Sequence, residues 1–375
     1  MSTTQRNSDW SEEFDDGQPA GDPWVKHVTV NDRPERVIDW PAYFEAGKID
    51  LAATRGMDAD EIRETLPPPL VHGCLRHGSV GLLGGASKAR KSWLALFLAL
   101  CVVNGRSWLG FRVEKSRVRY LDFELKARTA AGRYALARLG VTDDPDEQAE
   151  IDAGITFHAM RSMPSENGTL AGVAQWIEAA GQPGELWILD CLQPVLEVDA
   201  NDSVKVRAEF RPLLRATEKS GIVLLIVDHF NKNGEARGMA RISGSVAKVA
   251  AVDSIVTLTP QDGGIIAVDF DLREDPPVEG ETLIRFNSHT HGFDLISSAD
   301  AQAERDRREL ETFMEWIGTG WPDGNTPRTR NELCSAWNLK ATSGVTNRIE
   351  KLKSAGFVMD GEPRGAAKTY QLSPT

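Results

Sequence analysis

The stretch Gly85-Ala86-Ser87-Lys88-Ala89-Arg90-Lys91-Ser92 restricts this chain more than any other. An apolar run, Val80 to Leu83, precedes it, and a long apolar segment, Trp93 to Val103, follows it. Buried strand, tight loop and helix in that order are the setting a phosphate-binding loop requires. The spacing fits G-x-x-x-x-G-K-[ST], except that Arg90 stands at the last glycine. In such a loop the backbone N–H groups turn inward onto phosphate oxygens, and the helix N-terminus adds partial positive charge. Residues 85–92 are therefore the expected nucleotide ligands, with Lys91 reaching the β- and γ-phosphates and the Ser92 hydroxyl on Mg²⁺. Arg90 argues the other way, because a side chain at a glycine-like backbone angle costs about 1–2 kcal/mol.

The rest of the chain decides how that loop is read. A length of 375 residues, 41% hydrophobic and 26% charged, suits a soluble globular protein with one large domain and one or two small ones. No apolar run approaches the roughly 20 residues of a membrane span. The polar, acidic N-terminus is unlike a secretory signal, so a cytoplasmic location is expected. Cys74, Cys101, Cys191 and Cys334 are scattered without C-x-x-C pairs. The first three lie in apolar segments and read as buried thiols in a reducing compartment. His72, Cys74 and His77 lie close together, but no second ligand cluster follows, so no metal site is expected there. The net charge of −12 is uneven: residues 1–66 carry 15 acids against 7 bases, and residues 326–375 carry 4 against 8. An acidic average with a locally basic end leaves a nucleic-acid partner open.

Four regions are expected. Residues 1–22 read as a disordered acidic tail. Residues 23–66 read as an N-terminal arm or cap with a linker, ending in the stiff Thr65-Leu66-Pro67-Pro68-Pro69. The apolar residues from Trp24 to Phe44 allow either a cap or an arm docked on a neighbouring subunit. Residues 67–299 alternate strands and helices. Strands are expected at Gly78–Leu83, Val118–Phe123, Ile155–His158, Leu186–Leu189 and Ile222–Val227, with antiparallel strands after Ile255. That alternation predicts an α/β fold on a mostly parallel sheet, whose ligands collect at the carboxyl ends of strands. A helix is expected over Lys126–Leu139, stopping at Gly140. Residues 300–375 read as a charged helix followed by helix, turn, helix and hairpin, a small winged helix-turn-helix domain, with Val345, Ile349 and Leu352 on one helical face.

Polar groups gather where such a sheet would place them. In Leu186-Trp187-Ile188-Leu189-Asp190, an apolar run ends in a carboxylate suited to holding Mg²⁺. Tyr120-Leu121-Asp122-Phe123-Glu124 ends the second strand, and an ionised glutamate there can deprotonate an attacking water. Asp122 competes for that role, since strict alternation puts it on the same face, but Glu124 lies nearer the strand's end. His229, Asn231 and Lys232 follow the fourth strand and can sense a γ-phosphate. The glycine-punctuated segment 232–241 is a solvated loop or one that carries a cation to a neighbouring subunit's phosphate, with Arg237, Arg241 and Lys248 as candidates.

Taken together, the run Gly78 to Gly85, Lys91 to Leu96, Tyr120 to Glu124, Ile188-Leu189-Asp190 and Val227 to Lys232 resembles the RecA-like ATPases of the plasmid RepA helicase type, over about residues 66–260. The resemblance implies a RecA-like core, ATP with Mg²⁺, a homo-oligomeric, hexameric ring and single-stranded DNA in its channel. It makes Lys91 and Ser92 nucleotide ligands, Asp190 the Walker B acid, Glu124 the base and His229 the sensor. A winged helix binds DNA through its second helix and its wing, so Asn347, Arg348 and Lys351, with Thr342 and Ser343, are expected on DNA and Arg364 and Lys368 on phosphates. A replication protein is the other partner such a module serves. The leading function is an ATP-dependent DNA motor or loader, and its rival is a nucleotide-binding, DNA-binding replication adaptor or regulator that hydrolyses weakly or not at all. A third is an ATPase remodelling a protein partner.

Overall fold

The structure is a computed structural model that describes residues 25–374, apart from 31–32, 47, 51, 162–168, 230–245 and 340–341. The expected acidic tail, Asn231, Lys232, Arg237 and Arg241 lie outside the described residues. The chain divides into two units at Leu66 and Pro67. In the first, β1 (Val25–Val30) and β2 (Arg33–Ile38) pair antiparallel, followed by α1 (Trp40–Ala46) and α2 (Ala59–Thr65).

The second unit opens with a small antiparallel ladder, β3 (Pro69–Val71) with β4 (Leu75–Arg76). β5 (Val80–Gly85) then runs through the glycine-bearing loop into α3 (Lys91–Asn104). β6 (Val118–Asp122) is followed by α4 (Ala127–Val141) and α5 (Pro145–Gly154), and β7 (Ile155–Ala159) by α6 (Leu170–Ala180). After β8 (Leu186–Asp190) comes α7 (Ser203–Ser220), and after β9 (Val223–His229) comes α8 (Val246–Ala251). β10 (Ser254–Pro260) runs parallel to β5, and β11 (Ile265–Leu272), β12 (Thr282–Phe286) and β13 (Phe293–Ile296) extend the edge antiparallel. The nine strands lie in the order β13-β12-β11-β10-β5-β9-β8-β6-β7.

Alternation along the parallel strands explains the two helical layers. On β9, Val223, Leu225 and Val227 face one apolar cluster with α3, while Leu224 and Ile226 face another with α6 and α7. A sheet covered on both faces needs strands that are apolar throughout, and β5 and β8 are buried at every position. α3 is apolar nearly all round and stops at Gly105, which takes a left-handed conformation as its C-cap.

Two details differ from expectation. α4 does not stop at Gly140 but continues to Val141. A Cβ at Gly140 would lie 1.6 Å from the Thr290 carbonyl oxygen, so this glycine serves close approach to the β12–β13 turn instead of ending the helix. α5 was not anticipated, although Asp144 accepts from the N–H groups of Asp146 and Glu147 and Pro145 occupies its first turn, both ordinary start signals.

The end of the chain has its own apolar cluster. α9 (Ser298–Gly320), β14 (Arg328–Thr329), α10 (Arg330–Ala336), α11 (Thr342–Ser354), β15 (Val358–Arg364) and β16 (Ala367–Leu372) enclose Phe313, Trp321, Leu333 and Trp337. Val345, Ile349 and Leu352 of α11 are buried in the same cluster. A capping box joins Thr329 and Glu332 at the start of α10. Among the described residues no helix is long and apolar enough to cross a membrane.

Candidate nucleotide site

Strand register brings the polar groups into one row. Gly85 at the end of β5 lies opposite His229 at the end of β9. Asp190 at the end of β8 pairs with Asp122 on one side and Val227 on the other. A cleft of about 550 Å³ opens at this edge, lined by Ser87, Lys88, Arg90, Lys91 and Ser92 together with Glu124, Asp190 and His229. Residues the sequence separates by well over a hundred positions thus share one cavity.

The loop itself is wound tightly. Lys88 and Arg90 have φ of 66° and 64°, left-handed angles that turn the backbone back on itself. A Cβ at Gly85 would sit tightly, 3.2 Å from that of Leu258 and 3.3 Å from that of Ala89. Arg90 therefore adopts the glycine-like angle its position demands, at a cost of about 1–2 kcal/mol. Its guanidinium lies 4.0 Å from the ring centre of Phe286 on β12, a cation–π contact that offsets about 0.5–1 kcal/mol of that cost.

Lys91 is buried at the first position of α3. Its ammonium donates to the carbonyls of Gly85 and Ala86, both at 3.0 Å, and meets His229 Nδ1 at 3.1 Å. Burial lowers its pKa, against the pull of Asp190, Cys191, Glu124 and Asp228. The same burial, with Lys91 alongside, lowers that of His229. Ser92 Oγ donates to Asp190 Oδ1 at 3.2 Å, and the buried Tyr120 hydroxyl donates to Oδ2 at 2.7 Å. Asp190 is 1% exposed, and burial pushes its carboxyl up to about 6 despite those two donors. An alcohol and a carboxylate held together in this way are hard oxygen donors that fit Mg²⁺.

Asp122 and Glu124 do not share a face. β6 ends at Asp122, whose buried carboxylate accepts from the N–H groups of Glu124 at 2.9 Å and Leu125 at 2.7 Å. Asp122 is thereby committed to closing the turn, while Glu124 stands exposed in the cleft.

Lys248 departs from expectation outright. It is 1% exposed, and its ammonium lies 2.9 Å from the equally buried Asp228. Reaching a neighbouring subunit would strand Asp228 as an unpaired buried charge, so Lys248 is a structural cation. Trp93 and Arg133, which no expected role covered, also line the cleft, the Arg133 guanidinium lying 5.3 Å from the Trp93 ring centre. His291 stacks on Trp93 from the β12–β13 turn. No local motif marks these residues; only the position of Trp93 beside Ser92 gave a signal.

The residues expected on DNA are placed unevenly. Asn347 and Lys351 are exposed on α11. Arg348 is half-buried, 4.7 Å from the Trp316 ring centre and 5.6 Å from that of Trp337. Arg364 pairs with Glu332 at 2.9 Å, and Lys368 with Asp360 at 3.2 Å.

A mostly parallel sheet covered on both faces, with a phosphate-type loop after β5 and an acid ending β8, has the architecture of a RecA-like P-loop core. Residues 51–235 match the family described as AAA domain. No curated protein matches by sequence. Among solved structures, one described as a DnaB-like replicative helicase and its interactions with primase is similar in fold, with a TM-score of 0.51 and 13% identity, over 69% of this chain and 71% of that one.

Proposed function

We propose that this chain is an ATP-dependent motor or loader acting on DNA, in the manner of a RepA-like replicative helicase of a plasmid, phage or mobile element. One observation carries the reading: Lys91, Ser92, Glu124, Asp190 and His229 converge on a single cleft at the carboxyl edge of the sheet. In this reading the loop from Gly85 to Ser92 takes the phosphates of ATP, and Lys91 leaves its own loop carbonyls for the β- and γ-phosphates. Ser92 and Asp190 hold Mg²⁺, which supplies charge neutralisation at the phosphates when bound. Glu124 accepts the proton of the attacking water, and His229, beside Lys91, reports the γ-phosphate to β9. Arg237 and Arg241 serve a neighbouring subunit of a hexameric ring around single-stranded DNA. The C-terminal unit acts as a winged helix that meets duplex DNA through Asn347, Arg348 and Lys351. Arg364 and Lys368 join it by exchanging Glu332 and Asp360 for phosphates.

The rival, a nucleotide-binding adaptor without turnover, drew on Arg90. The glycine-like φ of 64° at Arg90, with its guanidinium drawn off toward Phe286, supports a loop that still closes on phosphate. Steady-state ATP hydrolysis with and without single-stranded DNA, wild type beside Lys91→Ala, tests the choice. DNA-stimulated turnover that disappears in Lys91→Ala is expected. Glu124→Gln should keep ATP binding and lose about 10²–10⁴-fold in kcat. ATP binding without turnover in the wild type would overturn the motor in favour of the adaptor.

A further inference from the structure

We propose that Glu124, Cys191 and His229 form a binding site for a transition-metal dication of the zinc class, distinct from the oxygen pair Ser92 and Asp190. One donor atom from each, a carboxylate oxygen, a thiol sulfur and an imidazole nitrogen, lie within 4.8 Å of one another. In a tetrahedral zinc site, bonds of about 2.0–2.3 Å hold such atoms roughly 3.3–3.8 Å apart. A contraction of about an ångström therefore closes the set.

The fold makes that contraction easy. Cys191 follows the last residue of β8 and His229 is the last of β9, and the ladder between those strands runs as far as Asp190 and Val227, just short of both. Glu124 sits exposed on the turn after β6, free of the core, and can swing to meet them. The donor set also selects the ion. Sulfur and imidazole nitrogen favour zinc-like metals, whereas Mg²⁺ demands oxygen. Three protein ligands leave a fourth position open to water, as in catalytic zinc sites.

A neutral imidazole has one ring lone pair, so the ion and Lys91, 3.1 Å from Nδ1, compete for His229. When the ion takes the ring, Lys91 keeps the Gly85 and Ala86 carbonyls. The Cys191 thiol proton passes to solvent as the metal–sulfur bond forms. The metal site stands on these three side chains alone; its consequence, that zinc occupies the base and the sensor and stops hydrolysis, rests on the proposed function above.

The test uses the tag-free full chain without nucleotide, titrated with Co²⁺ by absorbance and with Zn²⁺ against a chromophoric chelator. One equivalent of Co²⁺ should bind with a sulfur-to-cobalt charge-transfer band that Zn²⁺ displaces. Cys191→Ser should abolish the band. Glu124→Gln, at an exposed position, should weaken Zn²⁺ by at least about tenfold while leaving the fold intact. Absence of the band, its survival in Cys191→Ser, or unchanged Zn²⁺ affinity in Glu124→Gln would each overturn the site. None of these readouts involves ATP, so a failure of the motor reading and a failure of the metal site are separately visible.

Discussion

Around the carboxyl ends of β5, β6, β8 and β9 the protein buries Lys91, Asp122, Asp190, Asp228 and Lys248, whereas among the described residues from Ser298 to Ser373 it buries no charged side chain. Both regions are rich in charge. In the C-terminal stretch the charges pair at the surface: Arg307 with Glu304 and Glu311, Arg364 with Glu332, and Lys353 and Lys368 with Asp360. Exposed pairs of that kind contribute little, while taking an ion out of water costs several kcal/mol unless its partners are in place. Burying five charges at one edge of a sheet is a cost that packing alone gives no reason to bear. Of the five, Lys248 and Asp228 hold each other and Asp122 closes a turn, which leaves Lys91 and Asp190 as the buried charges lining the cleft.

Breaking the buried pair should give the largest effect. Lys248→Ala strands Asp228 and is expected to cost about 3–5 kcal/mol in denaturant unfolding. A loss below 1 kcal/mol would remove the distinction between the two regions. Tyr120→Phe comes next, because it deprives Asp190 of a 2.7 Å charge-assisted bond. About 1.5–3 kcal/mol of stability is expected to go, with a weakened Mg²⁺ dependence of nucleotide binding by calorimetry.

Asp190→Asn should run the other way. Burial raises the Asp190 carboxyl to about 6 in the folded protein, above the ordinary value of about 3.9. Its contribution is fully present below the ordinary value and is lost as pH rises through about 6. The asparagine variant should therefore gain on wild type as pH climbs from 4 to 7, by roughly 2 kcal/mol, because the weakened bonds to Tyr120 and Ser92 shift the difference equally at every pH. A thermal melt that gives the same difference at both ends of that range would exclude a carboxyl raised above its ordinary value in the folded protein. The smallest change is expected from Arg364→Ala with Lys368→Ala, below about 1 kcal/mol in stability. The same double variant should flatten the salt dependence of duplex-DNA binding if these bases reach phosphates.

Much of this site was legible because its residues sit at the ends of apolar runs. β5 leading to Gly85, β8 ending at Asp190 and β9 ending at His229 each announce themselves by a buried strand followed by a polar group. Glu124 and Asp122 were harder: alternation treats them alike, and only the turn hydrogen bonds that consume Asp122 separate them. Lys248 was misread because a basic residue beside a polar loop looks solvated until its partner is known, and that partner lies 20 residues away. Gly140 looked like a helix stop for a similar reason, since the Thr290 carbonyl that requires it belongs to a distant turn. Contacts distant in sequence leave no periodic trace.

Arg90 has a mechanical consequence. A glycine at the end of a phosphate loop is a pivot, free to swing between conformations at little cost. An arginine held at φ 64° with its guanidinium against Phe286 is closer to a rivet, fastening the loop to the antiparallel border of the sheet. A change at Phe286, far downstream in sequence, then removes one of the contacts that hold the loop where it receives its ligand. Replacing that phenyl ring with an aliphatic side chain would loosen the loop without touching a single one of its residues.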